Sequence, residues 1–161
     1  MIILDTNVIS ELAKATPDSN VYSWLKSCAP GEVGLTAISM QELWVGVLLL
    51  PDGRHRQDLI EFITYVEEVY STVLCPFTLD AAKMTARVLA RRRVIGRPIS
   101  IADAQIAGTC LSGGHILATR NVRDFAGVAG LQVLDPFVIE PRPIDAAAQT
   151  QFHSRNGSAD A

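Results

Sequence analysis

Asp5, Glu42, Asp103 and Asp124 stand where a strand would end or a helix would begin, and acids in such places are equipped for chemistry. Asp5 follows the apolar run Met1-Ile2-Ile3-Leu4. Glu42 lies in Ser39-Met40-Gln41-Glu42, shortly after the apolar stretch 33–37. Asp103 lies in Ser100-Ile101-Ala102-Asp103, and Asp124 closes Thr119-Arg120-Asn121-Val122-Arg123-Asp124. Far apart in sequence, they meet only if the fold gathers its strand ends along one edge. Gathered carboxylates repel and raise one another's pKa, and a bound cation relieves that repulsion. Oxygen-only ligands select Mg2+ or Mn2+ over zinc. Such an ion activates water and stabilises charge on phosphate oxygens, as phosphodiester hydrolysis requires.

Structural roles compete at each position. Ser39-x-x-Glu42 matches the capping box, and Ser100-x-x-Asp103 matches it loosely, since Glu or Gln is preferred at the third helical position. Asp5 could be an N-cap for the helix that follows it. What speaks for more than capping is the text around Asp103. It heads a run containing Ala104, Ile106, Ala107 and Gly108 with no basic residue one turn away, and an acid on a buried helix needs a partner. Capping and metal binding are compatible at Glu42. The histidines do not replace these acids: His55 is expected in a loop, His115 at the opening of a strand and His153 in a tail.

To bring the acids together the chain must be an α/β fold. Short apolar runs predict strands at 1–4, 33–37, 73–75, 116–119 and 131–134. Helical spacing and its stop signals predict helices at 8–13, 18–28, 39–50, 54–69, 79–95 and 100–111. Strands alternating with helices make βαβ units, hence a mainly parallel sheet of four to five strands covered on both faces, with ligands at the strand carboxyl ends.

At 161 residues, 48% hydrophobic and 19% charged, the chain is expected to pack as one domain over 1–139, followed by a flexible polar tail over 140–161. The apolar stretch closed by Leu48-Leu49-Leu50 is interrupted by Glu42 and falls short of the roughly 20 residues that span a bilayer. Met1-Ile2-Ile3-Leu4-Asp5 lacks the basic start of a signal peptide. Three widely spaced cysteines without a CxxC motif read as reduced core thiols, and a cytoplasmic location is expected. A net charge of −3 argues against nucleic-acid binding by bulk electrostatics. Locally, Lys83, Arg87 and Arg91 share one helical face, with Arg92, Arg93 and Arg97 continuing the charge. That ridge is either a solvated face or a set of phosphate contacts, and Arg120 and Arg123 are alternative contacts.

These segments resemble a known family. Ile3-Leu4-Asp5-Thr6-Asn7-Val8-Ile9-Ser10-Glu11-Leu12 is similar to the opening of PIN-domain proteins, especially VapC-type toxins and their FitB-like relatives. Thr36-Ala37-Ile38-Ser39-Met40-Gln41-Glu42-Leu43 with Gly46 resembles the second motif. Ile101-Ala102-Asp103-Ala104-Gln105-Ile106-Ala107 resembles the third, and 117–125 the fourth, in the right order from Met1 to about Pro136. The resemblance implies a three-layer α/β/α sandwich, an acidic Mg2+ site and endoribonuclease activity. It also implies a homodimer, a VapB-type antitoxin partner, RNA as substrate and a toxin–antitoxin assembly on DNA, with no membrane. By position Asp5, Glu42 and Asp103 match the metal-binding acids, and Thr6 matches the hydroxyl that supports the first. The fourth site departs from the pattern: Asn121 stands where many relatives carry an acid, and Asp124 lies three residues on.

Two other functions compete. A haloacid-dehalogenase-type phosphatase uses Asp-x-Asp after its first strand, but Asn7 occupies the second position here. A binding module with a degenerate site would keep the fold without turnover. The apolar 43–47 segment and the Ile60/Ile63/Val66 face read first as core, with a part left over to form a groove for an antitoxin peptide.

Overall fold

The computed structural model describes residues 1–138. Five short strands form one parallel sheet in the order β3-β2-β1-β4-β5: β1 (Ile2–Leu4), β2 (Val33–Thr36), β3 (Leu74–Cys75), β4 (Ile116–Ala118) and β5 (Gln132–Leu134). From the central β1 the chain builds outward to β2 and β3. It then returns to lay β4 on the other side of β1 and β5 beyond it. Strand order therefore reverses between β1 and β4, and a parallel sheet opens its crevice at such a reversal, beyond the strand carboxyl ends. The Asp5 N–H donates to the Ala118 carbonyl at 2.9 Å and ties the two strand ends together there.

Alternation along β1 supplies both faces of the sandwich. Ile2 and Leu4 pack with α1 (Thr6–Leu12), α2 (Ser19–Ser27), α3 (Ala37–Leu48) and α4 (Arg54–Tyr70), through Val8, Trp24, Leu43 and Ile63 among others. Ile3 packs on the opposite face with α5 (Leu79–Val94), α6 (Ile101–Gly113) and α7 (Val122–Phe125), through Val88, Ile106 and Phe125. Each fully buried Leu or Ile contributes roughly 1.5–3 kcal/mol. Leu4, with none of its surface exposed, is a position where truncation to Ala costs about 2–5 kcal/mol. Helices α5 and α6 lie unusually close, and Gly108 is the reason. A Cβ there would collide with Thr85 Oγ1 and stand 2.7 Å from the Ala81 carbonyl. That contact fixes α6, and with it Asp103.

The structure differs from the sequence expectations in local ways. Helix α3 begins at Ala37, not Ser39, because Thr36 at the end of β2 is the cap. The third strand loses Val73 to a turn of 3-10 helix over Ser71–Val73. Helix α7, four residues long, was not expected from periodicity, and His55 lies in the first turn of α4, not in a loop. The domain boundary at 139/140 and the tail at 140–161 lie outside the described residues. Among the described residues no helix is long and apolar enough to cross a membrane.

Candidate functional site

Asp5 ends β1 because it caps α1. Its backbone is extended (φ −72, ψ 157) and its Oδ1 accepts the Thr6 N–H at 2.8 Å. Its Oδ2 accepts from Asn7 Nδ2 and from Thr119 Oγ1, both at 2.6 Å. The Thr119 hydroxyl in turn accepts from Asn7 Nδ2 and from the Asn121 N–H, each at 3.0 Å. Asn7 Oδ1 accepts the Arg120 N–H at 3.1 Å, so the ends of β1 and β4 are stitched across the crevice. Only 4% of Asp5 is exposed. Burial pushes its carboxyl above the usual range. The Thr119 hydroxyl and the Thr6 amide pull it back, and the charges of Asp103 and Glu42 push it up again. Among the described residues no cationic side chain is one of the groups that act on it.

Glu42 reaches this edge from α3. Thr36 Oγ1 accepts the Ser39 N–H at 2.9 Å and pairs with Ser39 Oγ at 2.8 Å, so the cap is Thr36 with Ser39. Glu42 is therefore not the reciprocating acid of a box opened by Ser39. It stands further along α3, where its Oε2 accepts the Thr6 hydroxyl at 2.7 Å. Asp103 does not close a full box either, since its carboxylate meets the hydroxyl of the N-cap Ser100 and not its backbone N–H. Ser100 Oγ accepts the Asp103 N–H at 3.0 Å and donates to Asp103 Oδ2 at 2.7 Å. Among the described residues nothing in the protein engages Oε1 of Glu42 or Oδ1 of Asp103.

This donor set suits a hard divalent cation. Each acid keeps lone pairs after its protein hydrogen bonds, every donor is oxygen, and no basic side chain neutralises the group. Among the described residues no three acid, histidine or cysteine side chains stand together closely enough to hold a metal ion between them. An ion that keeps several waters and uses one or two carboxylates, as Mg2+ does, needs no such trio.

The remaining residues singled out in sequence are placed variously. Asn121 caps α7 beside Thr119 and is exposed. Asp124 is also exposed, within α7, and its charge is not among those acting on Asp5. Lys83 pairs with Asp80 in its own helix at 3.1 Å, and the Arg120 guanidinium lies over the Phe137 ring at 4.7 Å. Arg87, Arg91 and Arg123 are exposed and have no ion-pair partner among the described residues. Arg92 does not extend the outer ridge: it turns inward and is 6% exposed. Cys75 Sγ and His115 Nε2 approach to 3.8 Å, a pairing invisible in the linear spacing. Burial pushes the Cys110 thiol up to about 12, as expected of an inert core thiol. Beside Thr6 and Glu42 opens a groove of about 740 Å³ between α1, α3 and α4, floored by Leu43, Val47, Leu59, Phe62 and Ile63.

Sequence reasoning gives Thr119 no role, takes Asn7 only as a departure from Asp-x-Asp, and reads Arg92 only as part of a charged ridge. Thr119 and Asn7 sat inside the quoted motifs, and only their spacing from the strand ends signalled a role.

Residues 2–131 match the family described as the PIN domain. The chain belongs to the PIN-domain family. As a PIN-domain protein it is 37% identical over 140 residues to the VapC ribonuclease Y4jK of Sinorhizobium fredii, an alignment covering 85% of this chain and 98% of that one. It is 33% identical over 138 residues to the toxin FitB of Neisseria gonorrhoeae, covering 85% and 99%. The solved structure of FitAB bound to an IR36 DNA fragment superposes with a TM-score of 0.79 at 32% identity, over 89% of this PIN-domain chain and 100% of that one. The three-layer sandwich and the parallel five-stranded sheet are those of this family.

Proposed function

We propose that this PIN-domain protein is the toxin of a toxin–antitoxin pair, an endoribonuclease that cleaves RNA at the edge formed by Asp5, Glu42 and Asp103. The observation that carries the reading is Asp5 itself: a buried carboxylate, pressed by two further acids, with no cationic side chain acting on it among the described residues. The relatives named as a VapC ribonuclease and as the toxin FitB support it. The PIN-domain match leaves the phosphatase reading without support.

Mg2+ or Mn2+ at Asp5, Asp103 and Glu42 would supply an activated water and neutralise charge developing on the phosphate. The protein's own part is orientation. Asn7 and Thr119 hold Oδ2 of Asp5 and the Thr6 amide holds Oδ1, while the Thr6 hydroxyl holds Glu42 beside them. Ser100 fixes the rotamer of Asp103. Asn121, at the rim, orients the attacking water, and Asp124 contributes negative charge further out. Arg87, Arg91 and Arg123 are free to contact RNA phosphates, with Lys83 and Arg120 contributing where their present partners release them. The groove between α1, α3 and α4 takes an apolar segment of a VapB-type antitoxin beside Glu42, which blocks the edge. Such a toxin acts in the cytoplasm as a homodimer, and the FitAB structure on DNA supports a higher assembly on DNA.

The test is cleavage of mixed RNA by purified protein with Mg2+, with Mn2+ and with chelator, for wild type and Asp5→Asn. Metal-dependent cleavage lost in the variant supports the reading. Metal-saturated wild type that leaves all RNA intact would instead favour a PIN-like binding module.

A further inference from the structure

Helix α7 carries Asp124 and is preceded by its N-cap Asn121, yet little in its own sequence holds it. It has four residues, and a helix that short does not stand without outside contacts. Its N-cap makes no side-chain hydrogen bond. Phe125, 2% exposed, anchors one side in the core. The carbonyls at its far end are met by a side chain from α5. Arg92 Nη1 donates to the Ala126 carbonyl at 2.5 Å and Nη2 donates to the Asp124 carbonyl at 3.1 Å.

Arg92 is unusual in its own right. It is 6% exposed, no acid pairs with it among the described residues, and its buried Nε–H finds no acceptor there. Burying a guanidinium without a carboxylate is an expensive way to gain stability, and apolar side chains of similar size often serve as well or better. Its position has a different use. The carbonyl end of a helix favours a cation, and a planar fork with two donors fixes two carbonyls in direction as well as distance.

We infer that Arg92 is a positioning residue for the nuclease edge: it clamps the carbonyl end of α7 and thereby holds Asn121 against Thr119, the residue that donates to Asp5. The inference rests on the proposed nuclease reading and adds a residue that lies outside its acidic motifs. Arg92 touches neither substrate nor metal, and it acts through backbone it does not share a helix with. A displacement of about 1 Å in such a support costs up to about 100-fold in rate.

The test uses the full chain with Arg92→Met and Arg92→Lys. In Arg92→Met, amide exchange over 122–128 should quicken while β1 and β4 stay protected. Its kcat for RNA cleavage should fall about 10- to 100-fold with KM nearly unchanged, and the melting temperature should stay close to wild type. Arg92→Lys, which can meet one carbonyl but not two, should fall between. A merely structural arginine would lower activity only in proportion to the fraction unfolded. Wild-type cleavage with unchanged exchange or unchanged kcat in Arg92→Met would overturn this inference alone. Wild-type protein that cuts no RNA would overturn the nuclease reading and this inference with it.

Discussion

Helix α1 has an acid at each end, and the two live in opposite conditions. Asp5 at the N-terminus is buried, held by Thr6, Asn7 and Thr119, and raised in pKa by burial and by its acidic neighbours. Glu11, in the last turn, is also buried, at 7% exposure, yet its carboxyl is held below the usual range. Its Oε2 accepts from Lys14 Nζ at 2.6 Å and its Oε1 from the Asp18 N–H at 3.1 Å, so both oxygens are bonded and the charge is paired with a cation. Glu11 is finished by the fold. Asp5 is left with a charge that the protein does not neutralise, and that is what separates a structural acid from one awaiting a ligand.

The largest expected effect is on turnover. Asp5→Asn should abolish RNA cleavage by orders of magnitude, because nucleophile activation and charge stabilisation are lost together. Its melting temperature at neutral pH should hold or rise, since a buried charge is removed. A variant that cuts RNA normally would break the contrast at its Asp5 end.

Next comes the support for Glu42. Thr6→Val removes the hydroxyl donated to Glu42 Oε2 while keeping the branched shape. Cleavage should fall by about 10- to 100-fold, with the fold and the Asp5 cap intact. Unchanged kinetics would show that Glu42 needs no such guide.

A smaller effect separates the two acids by sign. The folded Asp5 carboxyl lies above its unfolded 3.8, so the native state keeps a proton the unfolded chain has released. Its stabilising contribution is full below that value and is lost as pH rises through the raised one. Glu11 lies below its unfolded 4.5, so its contribution is present above that value and lost as pH falls through the lowered one. Melting curves across the acidic range should therefore move in opposite directions on Asp5→Asn and Glu11→Gln. Parallel changes would contradict the assignment.

The smallest effect belongs to Glu11→Gln at neutral pH. A slight fall in melting temperature with cleavage retained is expected, and lost cleavage at full stability would move Glu11 into the site.

Much of this was legible in the chain. The apolar run broken by Asp5, and the acids near the ends of β2 and β4 and at the start of α6, give both the sheet and the edge. What stayed hidden depended on choices that linear spacing cannot make. Thr36 and Ser39 are both residue types that cap helices, and only the extended backbone of Thr36 decides for the first. Helix α7 is too short for periodicity. In Arg91-Arg92-Arg93 the residue that turns inward is chosen by carbonyls more than thirty positions away, so charge patterning read a ridge where one member is a clamp.

Asp5 and Asp103 are expected to hold a divalent ion with Glu42 close by. Calorimetric titration of Mg2+ and Mn2+ into wild type, Glu11→Gln and the double variant Asp5→Asn/Asp103→Asn tests this expectation directly. Binding should be equal in wild type and Glu11→Gln and lost in the double variant. Equal affinity in all three proteins would contradict it.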